Sequence, residues 1–222
     1  MKFWPATATL DDKIQIAILW FIKISIVVAI VWSGLVGNGE SFLASVIALA
    51  LTFVPDFIKR RYGVNFPVEF DFIIIIFIYM SIILGEVADA YYRFWWWDSL
   101  LHTSSGVLFG FVGFLILHIF TAREKIKAHP RVFAFFTFCV AVAAGAVWEI
   151  FEYLADETLG TNLQKSGLQD TMWDLIVDGI GGGVIALAAY FHVKNGSRSG
   201  LVARFVNSFL KLNPRLQRKG QL

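Results

Sequence analysis

Six apolar stretches, each close to 20 residues long and nearly free of charge, constrain this chain more than any other feature. They cover residues 14–35, 41–58, 69–87, 98–120, 132–154 and 171–193. An α-helix crosses the hydrocarbon core of a bilayer in roughly 20 residues. Lipid offers no partner to a bare peptide group, so a spanning segment must satisfy its own backbone. Six such segments predict an all-α, polytopic membrane protein with six transmembrane helices. Composition agrees. Hydrophobic residues make up 57% of the chain and charged residues 16%, where a soluble domain carries about a quarter.

The boundaries carry the expected signals. Pro67 precedes the third stretch, with Glu69 and Asp71 in its first turn, as a helix N-terminus favours. The connections VGNGE, KRRYGVNFP and TAREKIKAHP are short and rich in turn residues. The opening MKFWPATATLDDK lacks a short apolar core followed by a small-residue cleavage site. The first stretch is therefore expected to be a retained span. Cys139, the single cysteine, sits among Phe138, Val140 and Ala141 and reads as a small buried side chain.

Basic residues are distributed unevenly. Lys59, Arg60 and Arg61 follow span two, and Arg123, Lys125, Lys127 and Arg131 follow span four. Lys2 and Lys13 precede span one, and seven more lie between Lys194 and Lys219. The loops at the other ends hold only Arg93 and Lys165. Positive charge stays in the cytoplasm, so this pattern predicts both termini inside, N-in/C-in, in an inner (plasma) membrane. Lys23, inside span one, is expected to snorkel to the nearby interface. Residues 1–197 read as the transmembrane domain and 198–222 as a basic cytoplasmic tail. Within the tail Leu201, Val202, Phe205, Val206 and Phe209 share one helical face, and Arg204, Asn207, Ser208 and Lys211 share the other. That pattern predicts an amphipathic helix on the inner leaflet, drawn to anionic lipid. No nucleic-acid partner is expected.

The acids are the chemically informative residues. Glu86 and Asp89 close span three; Asp98 and His102 open span four. Glu149 and Glu152 lie late in span five, and Asp170, Asp174 and Asp178 run through the start of span six. With alternating spans, all of them fall at one depth in the outer leaflet. Their spacings are three or four residues, which puts each group on one helix face. An ionised side chain at the bilayer centre costs at least about 2.5 kcal/mol, and clustered carboxylates repel one another. Protons or a cation must offset that repulsion. Oxygen-rich ligation with one imidazole suits Mg²⁺, Mn²⁺ or Ca²⁺, and less surely Zn²⁺ or iron. A metal-free polar network that shares protons and takes in Arg93 is the rival reading.

Neighbouring features are mostly structural. Gly179 and Gly183, and Gly106 and Gly110, have the four-residue spacing that lets helices approach closely in lipid. YYRFWWWD, residues 91–98, suits an interfacial aromatic belt and could also rest against a lipid chain. The stretch from Ala155 to Gln169 is long enough to cover the acids. His118, His129 and His192 read as interfacial or solvated, and Asp56 beside Pro55 as a helix-end residue. Ser99, Thr103, Ser104 and Ser105 surround His102, but no Ser-His-acid order stands out.

DSLLHTSSGVLFGF, WEIFEYLAD and GLQDTMWDLIVDGIGG, taken in that order, resemble the YjdF-like group of bacterial inner-membrane proteins. The matching residues are Asp98 and His102; Glu149 and Glu152; and Asp170, Trp173, Asp174 and Asp178. The likeness spans roughly residues 86–190, and Gly160 and Gly167 depart from the group's loop pattern. It supports the choice of residues and implies no reaction.

These readings lead to a membrane protein with an outward-facing carboxylate and histidine site. The leading expectation is a metal-dependent hydrolase or transferase acting on a lipid or lipid-linked substrate. Asp98, His102, Glu149, Glu152, Asp174 and Asp178 are the ligand candidates. Glu86, Asp89 and Asp170 are the candidates for general base. The alternative is a cation or proton transporter that uses the same acids.

Overall fold

A computed structural model describes residues 10–123, 126–196 and 200–216. Lys2, Lys125, Arg198, Arg218 and Lys219, which entered the charge argument, lie outside the described residues. The fold is all-α, with no strand among the described residues. Six helical segments are long and apolar enough to cross a membrane: Lys13–Val36, Gly39–Tyr62, Val68–Val87, Trp97–Ala122, Pro130–Leu159 and Leu168–Lys194. The chain divides into two compact units, Met1–Trp97 and Asp98–Leu222.

In the first unit α1 (Leu10–Val36) is followed by α2 (Gly39–Leu51) and α3 (Val54–Tyr62). Asn38 caps α2 by accepting from the Ser41 amide at 3.0 Å. Span two is broken where α2 ends. Pro55 has no amide hydrogen for the preceding turn and crowds its carbonyls, so the helix restarts. The Thr52 hydroxyl bonds back to Leu49 O at 2.7 Å, closing the last turn of α2 at the break. Next, α4 (Val68–Ile78) widens into a π-helical segment, Tyr79–Val87, closed by Ala88 N–H to Ile83 O at 2.9 Å. The short α5 (Ala90–Arg93) ends the unit's helices. Ile22 and Ile26 of α1, Ala48 of α2, Ile75 of α4 and Ile83 form the core.

The second unit contains α6 (Trp97–Ala122), α7 (Pro130–Leu159), α8 (Leu168–Lys194) and α9 (Leu201–Leu212). His129 caps α7 and Pro130 fills its first position. α7 runs past Ala155 to Leu159 and stops at Gly160, whose φ of 69° is left-handed. The expected loop from Ala155 to Gln169 therefore contracts to residues 160–167.

α9 is amphipathic, as its sequence predicts, but protein covers the centre of its apolar face. Val206 packs with Phe114, Leu117, Phe133 and Ala189, Phe209 is buried, and Phe205 meets Phe111 edge-on at 5.9 Å. Arg204 and Lys211 stay exposed. The same cluster receives His118 and His192, whose rings lie 5.6 and 5.7 Å from Phe114. Both are thus partly packed against an aromatic ring.

A buried histidine and carboxylate site in the second unit

His102, one turn into α6, is the centre of the site. Its Nδ1 lies 3.2 Å from Asp178 Oδ2. The other Asp178 oxygen accepts from the Ser105 hydroxyl at 2.6 Å. Asp178 has no exposed surface, and as a carboxylate it fixes His102 with a proton on Nδ1. Nε2 then points the other way. Asp98 Oδ1, Glu149 Oε1 and Asp174 Oδ2 each lie 3.9 Å from it. At that separation none forms a hydrogen bond.

Glu149 is the most exposing test of what these atoms await. It is 4% exposed, and neither carboxylate oxygen makes a hydrogen bond of good geometry, although the Thr171 hydroxyl is near enough to act on it. A buried carboxylate without a donor is costly. Asp98, His102 and Asp174 each offer a ligand atom, all within 4.8 Å of one another. A bound divalent ion sits about 2.0–2.6 Å from its donors. Donors sharing such an ion lie roughly 3–4 Å apart, and the separations of Nε2 from Asp98 and Asp174, 3.9 Å each, are close to that spacing. The donors present therefore fit a metal.

Backbone packing sets this convergence. A Cβ on Gly106 would strike the Asp178 carbonyl, and one on Gly181 would strike the Thr103 carbonyl. At these two glycines α6 and α8 approach main chain to main chain. A Cβ on Gly145 of α7 would strike the Asp178 carboxylate. The expected pairing of Gly179 with Gly183 is not the contact face; neither meets any atom within 4 Å. Gly181 takes that role, two residues along and on another side of the helix.

The remaining sequence candidates are placed differently. Glu152 lies one turn beyond Trp148 and accepts its indole N–H at 2.9 Å. Asp170 is half-buried in the first turn of α8, one turn before Asp174. Glu86 and Asp89 belong to the first unit. Glu86 is exposed in the π-helical segment. The Asp89 side chain is 61% exposed and lies 3.7 Å from Arg93; its φ of 60° makes it the left-handed entry to α5.

A family model described as "Predicted membrane protein (DUF2238)" matches residues 18–195. The chain belongs to that family. The match takes in both units and every residue of the site. An uncharacterized protein from Thermotoga maritima is 26% identical over 113 residues. That alignment covers 51% of this chain and 57% of the relative, so the chain spans a little over half of its length. No solved structure matches.

This DUF2238 protein carries one site component that sequence reasoning missed. Asp156, near the end of α7, accepts from the Thr161 hydroxyl at 2.6 Å and from the Leu163 and Gln164 amides at 2.7 and 2.9 Å. Gln164 donates to Thr171 at 2.6 Å. Lys165 pairs with Asp98 Oδ2 at 2.5 Å. The 160–167 loop is thereby tied to both helices it joins and to a candidate ligand. The available signal is an acid, Asp156, four residues before the Gly-Thr-Asn turn at 160–162. It is obscured because the polar run from Ala155 reads as loop in the sequence.

Proposed function

We propose that the second unit holds a divalent cation on Asp98, His102, Glu149 and Asp174, and that the chain acts on a lipid or lipid-linked substrate as a metal-dependent hydrolase or transferase. One observation carries this reading. Glu149 buries a carboxylate whose two oxygens make no hydrogen bond, 3.9 Å from His102 Nε2. Electron-rich atoms on three helices converge there, and a cation would offset their repulsion.

Asp178 holds the His102 ring and its tautomer, as an outer carboxylate does for a metal-bound imidazole. When bound, the ion would polarise a phosphoryl or acyl oxygen. Asp170, one turn from Asp174, is placed to accept a proton from an attacking group. Lys165 holds the loop against Asp98 and limits access by water. Glu152 and Asp178 leave the inner ligand set in this reading. The basic loops and both termini face the cytoplasm, and Arg204 and Lys211 of α9 contact anionic lipid from that side.

A second reading, a cation or proton carrier, rests on four carboxylates close to one imidazole, since a protonated His102 would also offset their charge. Against it, Phe114, Leu117, Phe133, Ala189 and Val206 fill the unit's interior as an apolar cluster. That cluster favours a one-sided site over a through-path. Metal analysis of protein purified without chelators tests the proposal. About one equivalent of divalent metal is expected, and its consistent absence overturns the reading. Cation flux in proteoliposomes that is lost in Asp174→Asn would favour the carrier.

A further inference from the structure

The first unit contains a second polar feature, independent of the site above. A cavity of about 170 Å³ opens where span two is broken. Its polar lining comes from three helices and the break itself: Lys23 of α1, Asp56 of α3, Asp71 of α4 and Thr52. Trp20 and Ile75 supply apolar wall. Pro55 creates the space by ending α2, and it places Asp56 in the first turn of α3.

The charges in this cavity are not consumed by one another. No ion pair within 4 Å joins Lys23, Asp56 and Asp71 among the described residues. The Lys23 ammonium lies 4.6 Å from the centre of the Phe53 ring. Asp71 Oδ1 is fully buried and has no hydrogen-bond partner. Asp71 feels Asp56, Lys59 and Lys23 only through space. The Lys23 ammonium thus stands over an aromatic ring at the mouth of the cavity rather than in an ion pair. A cation and two carboxylates, held apart in an apolar setting, line one opening.

The shape narrows the occupant. A bare ion would leave most of the space unused, since one water takes about 30 Å³. Drug-sized ligands take about 300 Å³ or more. The opening lies at the first turns of α3 and α4, where Asp56 and Asp71 stand, with Lys59 of α3 near enough to act on Asp71. An acyl chain there can run along the exposed apolar surface of α1, which includes Ile24, Val27 and Val28.

The geometry points to a binding site for the head group of a zwitterionic phospholipid bearing a primary amine, with its phosphate on Lys23 and its ammonium between Asp56 and Asp71. Charge complementarity selects this class. An anionic head group with a neutral polar end would satisfy Lys23 and leave two carboxylates without a cation. A quaternary ammonium would bring charge without the N–H donors that the Asp56 and Asp71 carboxylates can accept from.

The test uses the full-length protein in bilayer discs of equimolar phosphatidylethanolamine, phosphatidylglycerol and phosphatidylcholine. Lipid retained through detergent extraction is identified by native mass spectrometry. Wild type is expected to retain phosphatidylethanolamine about tenfold over each competitor. Asp71→Asn is expected to remove the preference over phosphatidylglycerol, and Lys23→Met to lower retention of all three. Equal retention of phosphatidylglycerol by wild type overturns the proposal without any variant. So does a full preference for phosphatidylethanolamine in Asp71→Asn. Metal content, measured on the same samples, is expected to stay at its wild-type level in both variants.

Discussion

The two units carry their acids in opposite ways. In the second, Asp98, Glu149, Asp174 and Asp178 come from three helices and surround one imidazole, three of them within a few per cent of complete burial. In the first, Glu86 and Asp89 are exposed at a helix end, and Asp56 and Asp71 line an open cavity. All of these acids lie in or beside apolar spans. The separating factor is what lies opposite each of them. Glycine at 106, 145 and 181 brings backbones close enough for α8 carboxylates to reach His102. In the first unit the corresponding closeness is absent at Pro55, where the helix breaks and space opens instead.

The largest expected effect tests whether convergence means metal. Asp174→Asn keeps the shape and removes one charge facing Nε2. It is expected to reduce bound metal from about one equivalent to background. Asp178→Asn disturbs only the ring's support, and a loss of about 10–100-fold in metal affinity is expected. Affinity titration of both variants checks the order. If Asp178→Asn proves the more damaging, Asp178 is itself a ligand and His102 turns.

Next in size is the packing that produces convergence. Gly145→Ala places a methyl group against the Asp178 carboxylate. A destabilisation of about 1–3 kcal/mol is expected. Gly183→Ala places the same group where nothing lies within 4 Å. A gain of up to about 1 kcal/mol is expected from the better helix former. Thermal unfolding in detergent compares the pair. Equal losses would mean that α8 presents its other face to α7.

The contrast between these glycines shows what the sequence carries. The six spans were legible because apolar length is a local property, and the structural ends fall within a few residues of those expected. The acids at 98, 149, 174 and 178, with His102, were legible because charge in an apolar helix is conspicuous at any register. Helix rotation was not. Gly179 and Gly183 repeat every four residues, yet Gly181 makes the contact, since the face that packs is set by the partner helix. The end of α7 was misjudged because ADETL, though polar, is still good helix, and Gly160 alone decides where it stops. The Tyr79–Val87 π-helical segment left no pattern in the residues at all.

A smaller effect concerns the loop. Asp156→Ala removes three acceptor contacts from residues 161–164. Hydrogen exchange at the Leu163 and Gln164 amides is expected to rise about tenfold or more, since a local opening then breaks fewer bonds. Global unfolding is expected to move little. Unchanged exchange would show that Lys165 and Gln164 suffice to hold the loop.

The smallest effect is expected at Asp89, where the comparison between the units is easiest to break. Its φ of 60° is the left-handed region, which asparagine tolerates as well as aspartate. Its pairing with Arg93 is exposed on both sides, and such pairs contribute little. Asp89→Asn is therefore expected to change neither metal content nor thermal midpoint. Asp89→Val keeps the residue small but forces a branched side chain into that conformation, at a cost of about 1–3 kcal/mol. A midpoint lowered in Asp89→Val and unmoved in Asp89→Asn assigns the residue a backbone role at the entry to α5. Metal lost in Asp89→Asn would instead show that this exposed carboxylate bears on metal content and is more than a helix-end residue.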